Sequence, residues 1–139
     1  MTPMTWNVNP SHEEIAFLLE AGLIYRDSGR FAEARDVLAG LRALLPRNDG
    51  VAVMLGTISF HEGDFEGALR HYTQALEFNP HSAYAYAHLG ELEIFRNDRA
   101  QADAHLKRAI KLDPRGVYGA FARRLLDLGQ ALQPKETVE

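Results

Sequence analysis

The chain has 139 residues, 46% of them hydrophobic, and a formal net charge of −4. That is room for one ordinary domain and too apolar a composition for a disordered chain. There is no cysteine, so disulfides and thiolate-held metals are excluded. No apolar run approaches the roughly 18 residues a membrane span needs, so none is expected.

Residues 1–13 form a polar N-terminal extension without the apolar core of a signal peptide, and a cytoplasmic location is expected. Ser11 and Glu14 make a capping box. Ile15, Leu18, Leu19, Gly22, Leu23 and Tyr25 then recur at one-turn spacing, a helix that Asp27-Ser28-Gly29 punctuates. A second helix is predicted from Phe31 to Leu45, before Pro46. Asn48-Asp49-Gly50 restarts the chain into a third, which reaches about His61 and breaks at Glu62-Gly63-Asp64. The fourth runs to Phe78, and Pro80 stops it. The fifth and sixth span about Ser82 to Phe95 and Arg99 to Leu112, with Pro114 closing. A last helix, about Val117 to Leu128, precedes a polar tail from Gln130. No alternating polar–apolar stretch is long enough to argue for a strand.

A repeat organises these helices. Pro46, Pro80 and Pro114 are 34 residues apart; so are Gly22, Gly56 and Gly90, and so are Ala34, Ala68 and Ala102. Three classes of marker on one period indicate a helix–turn–helix array. The glycine on each first helix lets the second helix approach closely, and the alanine on the second helix meets it there. Leu38, Tyr72 and Leu106 occupy matching positions and are expected to fill the space between the helices. Proline ends each unit because it cannot continue helical hydrogen bonding.

On these residues the chain resembles the tetratricopeptide repeat family. The central unit carries the fullest pattern, with Leu55, Gly56, Gly63, Phe65, Ala68, Tyr72, Ala75 and Pro80. Its early aromatic is replaced by Ala52, and in the third unit Asn97 stands for the turn glycine. The resemblance implies an all-α fold: a right-handed superhelical array of three repeats, about 14–47, 48–81 and 82–115. A capping helix at 116–129 and a tail at 130–139 would follow. It also implies a concave groove lined by first helices. Carried over by register, the groove residues are Leu19, Leu23 and Arg26; then Val53, Met54, Thr57, Phe60 and His61; then Tyr84, Ala87, His88, Glu91 and Phe95. Such a surface suits a protein or peptide partner with one or two hydrophobic anchors. Some members of the family hold a chaperone's C-terminal carboxylate with Lys, Arg and Asn. The matching positions here are Leu19, Leu23, Met54, Tyr84 and His88, which cannot do so. The three-repeat layout also resembles the small chaperones of bacterial type III secretion, which implies a dedicated chaperone or assembly factor for a secreted segment.

Catalytic and metal chemistry find no footing. His61-Glu62 opens like a zinc-protease motif, but Phe65 stands where the second ligand belongs. His81 and His88 lack a third ligand, and His71 and His105 are expected on exposed sides of second helices. His88 with Glu91 has acid–base spacing but no nucleophile beside it. Ser28, Ser59 and Ser82 lie outside any strand-to-helix elbow. The reading is therefore a non-enzymatic module without metal or cofactor.

Two other partners are weighed. Trp6, Val8 and the first repeat offer an apolar contact for a homodimer, and so for a homo-oligomeric repeat scaffold; Trp6 could equally fold back over the first helix as an N-terminal cap, or remain disordered. From His105 to Arg124, six basic residues face one acidic residue, Asp113, a local +5 that leaves −9 elsewhere. Nucleic-acid binding there is disfavoured, because the remainder of the chain is acidic and helix-end cations account for Lys107, Arg108 and Lys111.

Overall fold

The structure, a computed structural model, describes residues 9–132. The expected Trp6 and Val8 contact and residues 133–139 of the tail lie outside them. The described residues form seven helices and no strand: α1 (His12–Asp27), α2 (Phe31–Leu44), α3 (Asp49–His61), α4 (Phe65–Phe78), α5 (Ala83–Phe95), α6 (Arg99–Leu112) and α7 (Val117–Ala131). None is long and apolar enough to cross a membrane.

Local chemistry sets the helix starts. The Ser11 hydroxyl accepts from the Glu14 amide while the Glu14 carboxylate accepts from the Ser11 amide, the expected capping box. Asn48, Asp64, Ser82 and Asp98 each accept from the amide three residues on, at the starts of α3, α4, α5 and α6. The α1–α2, α3–α4 and α5–α6 turns each need one residue in the left-handed region. Gly29 (φ 76°), Gly63 (φ 80°) and Asn97 (φ 62°) supply it, 34 residues apart.

Packing follows the repeat. Each first helix lies on its second helix, and each second helix on the next first helix. Ala34 and Leu38, Ala68 and Tyr72, Ala102 and Leu106 are all fully buried at these crossings. α7 packs on both α5 and α6 and reaches Ala131, a turn beyond the expected end. His71 and His105 are half-buried rather than exposed. His105 Nδ1 lies 2.7 Å from Glu93 Oε2, a contact from α6 back to α5 that draws its ring inward.

Candidate binding groove

The helix contacts determine which way the array bends. α1 touches α3, α3 touches α5, and α5 touches α7, whereas α2, α4 and α6 do not touch one another. The first helices and α7 therefore form the tight, inner side, and the second helices splay along the outer side.

That closeness corrects part of the sequence-derived groove. Val53, Met54, Thr57 and Ala87 are buried and do not line open space. Met54 reaches across the seam toward Gly22. Thr57 Oγ1 accepts a 2.9 Å hydrogen bond from Arg26 Nη1 and donates to the Met54 carbonyl at 2.7 Å. Ala87 joins Leu106, Ala109 and Ala122 in the core between α5, α6 and α7. Leu19, Leu23, Arg26, Phe60, Tyr84, His88 and Glu91 are half-buried, and His61 and Phe95 are exposed. Arg26 also pairs with Asp27 at 2.9 Å.

Two aromatic clusters stand out. Near the start of α5, Tyr84 stacks on Tyr118 of α7 with ring centroids 4.5 Å apart. His88 lies 5.1 Å from Tyr84, 5.2 Å from Phe121 of α7 and 5.8 Å from the buried Tyr72. His88 Nδ1 donates to Glu91 Oε1 at 3.3 Å, which orients the imidazole. At the other end of α5, Phe95 meets Phe60 edge-on at 5.0 Å, and Phe60 lies 5.4 Å from Phe65. His61 donates from Nδ1 to the Thr57 carbonyl at 2.7 Å.

Electrostatics match this apolar character. Burial pushes the Tyr84 phenol up to about 12, with neighbouring Tyr118 acting in the same direction. Tyr72 and Tyr118 are raised too, foremost by burial. Among the described residues the Tyr72 hydroxyl is buried without a hydrogen-bond partner, and no three His, Asp or Glu side chains gather as a metal site. Of the basic stretch, Lys107, Lys111, Arg115, Arg123 and Arg124 are exposed, while Arg108 is half-buried beside the Tyr86 ring.

The contribution of α7 to this wall was missed by reading it as a cap alone. The signal was present: the 34-residue register carries Tyr84 to Tyr118, Ala87 to Phe121 and Glu91 to Leu125.

Known proteins place this geometry. Two models described as tetratricopeptide repeat match the chain, over residues 19–83 and 59–125. Over 66 residues, 48% of the chain, it is 36% identical to the protein SGT1 homolog of Oryza sativa subsp. japonica. Over 101 residues, 73% of the chain, it is 32% identical to the probable biofilm formation methyltransferase WspC of Pseudomonas putida. These matches span only 18% and 24% of those relatives' lengths. Among solved structures, the Yersinia enterocolitica type III secretion translocator chaperone SycD superposes with a TM-score of 0.73 at 18% identity, covering 88% of this chain and 92% of that one. The first tetratricopeptide domain of Spaghetti (RPAP3), bound to an HSP90 peptide, gives 0.70 at 21% identity, covering 88% and 98%. PcrH in complex with the chaperone binding region of PopD gives 0.68 at 19% identity, covering 88% and 93%. At such identities these structures share the fold. The repeat spacing, the helix pairing and both family matches agree: the chain belongs to the tetratricopeptide repeat family.

Proposed function

We propose that the chain is a non-enzymatic binding module whose inner face takes a peptide or helical segment of a protein partner. The observation that carries this reading is the aromatic wall formed by Tyr84, His88, Tyr118 and Phe121, which joins α5 to α7 on the inner side. Such a surface gains from burial against apolar side chains. Three of the solved neighbours lend support, having been captured with an HSP90 peptide, a peptide of the translocator YopD and a region of PopD.

Within this reading, a chaperone for an apolar segment fits better than a carboxylate clamp. Leu19, Leu23, Tyr84 and His88 give the inner face no Lys, Arg or Asn at the clamp positions, and Met54 is buried. The type III secretion chaperones offer a functional analogy, and a translocator-like segment with spaced apolar anchors is the proposed client. Replacing Phe60 and Tyr84 with Ala tests the site. Partners recovered from native cell extract by the unaltered chain should be lost, with far-ultraviolet circular dichroism largely unchanged. Undiminished recovery would remove the groove assignment.

A further inference from the structure

Both ends of the array carry a helix face that no other helix covers among the described residues. On α1 this face lies where one unit packs on the last. Phe17 stands 34 and 68 residues before Val51 and Ala85, and Ile24 stands likewise before Ile58 and Leu92. Those four side chains are buried, whereas Phe17 and Ile24 are 69% and 58% exposed. Glu13, Glu20 and Asp27 are exposed on the same stripe, at helical spacing with them. The face is mixed: two apolar side chains set between three carboxylates.

The other face is on α7. Val117, Ala120, Arg124, Leu128 and Ala131 are exposed and recur at i, i+3, i+7, i+11 and i+14, with Val117 and Leu128 75% and 51% exposed. The α1 stripe, Glu13, Phe17, Glu20, Ile24 and Asp27, runs at i, i+4, i+7, i+11 and i+14. Each is about 21 Å long with one charge at its midpoint, Glu20 on α1 and Arg124 on α7. Asp27 is paired with Arg26 and Arg123 donates to the Pro114 carbonyl, whereas Glu20 and Arg124 have no such partner among the described residues. The two faces are opposite in sign. α1 exposes four carboxylates, Glu13, Glu14, Glu20 and Asp27, and its arginine, Arg26, is half-buried. With Arg123 and Asp127 at its edges, the α7 face stays positive by one.

We propose that α7 of one copy docks on α1 of the next, joining copies of the chain head to tail. Glu20 then meets Arg124 whichever way the two helices run, because each is the midpoint of its stripe, and Phe17 and Ile24 lie against Ala120 and Leu128 in either order. In the repeat register Arg124 follows Gly22, Gly56 and Gly90, the positions at which a second helix crosses closely. An arginine there holds an incoming helix farther out and leaves room for a carboxylate. Charge rejects the symmetric alternatives: pairing two α1 faces sets Glu20 against its own copy, and pairing two α7 faces does the same to Arg124. One helix against one helix is small beside a standard interface, so association depends on concentration. Because the joined faces differ, it does not stop at two copies.

Sedimentation velocity of the full chain over a dilution series tests this. The expected result is a mass that rises with concentration past that of a dimer and falls again as added salt screens the charges. Glu20→Arg and Arg124→Glu should each weaken association at least about tenfold, with the helical signal unchanged because both residues are exposed. An equimolar mixture of the two variants should regain it: the reversed α1 of one faces the reversed α7 of the other, and their unaltered faces also match. A chain that stays monomeric at every concentration, or growth that ends at a dimer, would overturn the proposal. So would association that ignores either reversal, or a mixture that stays apart.

Discussion

The ring of Tyr72 lies across the backbone of Gly56: a Cβ at that glycine would come within 2.6 Å of Tyr72 Cδ1 and 3.1 Å of His71 Cβ. Tyr72 is fully buried and has nowhere to retreat. Gly90 meets Leu106 in the same way, with Cγ 2.5 Å from an added Cβ, but Gly22 leaves 3.4 Å to Leu38. Gly56→Ala and Gly90→Ala should each destabilise the fold by about 1–3 kcal/mol through overpacking. Gly22→Ala should be neutral or slightly stabilising, because alanine is the better helix former. Urea unfolding of the three variants checks the ordering, and an equal loss at Gly22 would contradict it.

Asn97 performs in the third unit the turn that Gly29 and Gly63 perform in the first two. Asparagine tolerates the left-handed region, and β-branched residues do not. Asn97→Gly should leave the melting temperature nearly unchanged, whereas Asn97→Val should cost about 1–2 kcal/mol. Thermal melts of the pair decide whether this turn is under the same constraint as its counterparts.

Stability should fall at both ends of the pH range. Burial holds the His71 imidazole below its ordinary value of 6.5, with Arg70, Arg42 and Arg35 adding to the effect. Below that pH the unfolded chain therefore binds more protons than the folded one. Stability is complete above pH 6.5 and declines as the pH drops through it. His71→Gln should flatten this limb. At the alkaline end, Tyr84 keeps its proton up to about 12 when folded and loses it near 10.0 when unfolded, so stability falls as the pH rises past 10.0. Ultraviolet titration of the phenols, alongside unfolding at each pH, measures both limbs.

Asp113 anchors α7. Its Oδ2 accepts from the Tyr118 amide at 3.1 Å and the Gly119 amide at 3.4 Å, while Gly116 at the cap position has no side chain to do so. Asp113→Ala should cost about 1 kcal/mol and loosen the start of α7, where Tyr118 stacks on Tyr84. Faster hydrogen exchange at the Tyr118 and Gly119 amides, together with weaker groove binding, is the expected result. Unchanged exchange would mean that α7 is held by packing alone.

The repeat was legible because its markers are set by backbone geometry and close approach, which few residues satisfy. Gly56 under Tyr72 and Ala68 in the crossing admit nothing larger. The inner surface was less legible. Val53, Met54, Thr57 and Ala87 hold groove positions in the repeat register, but adjacent first helices touch and close over them. That spacing depends on pairs such as Met54 with Gly22 and Arg26 with Thr57, which no single-repeat pattern encodes. In the other direction, Tyr118, Phe121 and Leu125 continue the register past Pro114, but the altered residues of α7 hid its kinship with α5. The polar contact of His105 with Glu93 joins two helices and has no signature in either alone.

The proposed ligand of the inner wall is an apolar protein segment. A peptide library displayed on phage and selected against the full chain tests it most directly, with each selected peptide then titrated calorimetrically. Selected sequences should carry spaced large apolar residues, and their affinity should fall at least about tenfold, roughly 1.4 kcal/mol, when Tyr84 and Phe121 are replaced by Ala. Selection of no peptides, or peptides whose affinity ignores both replacements, would contradict it.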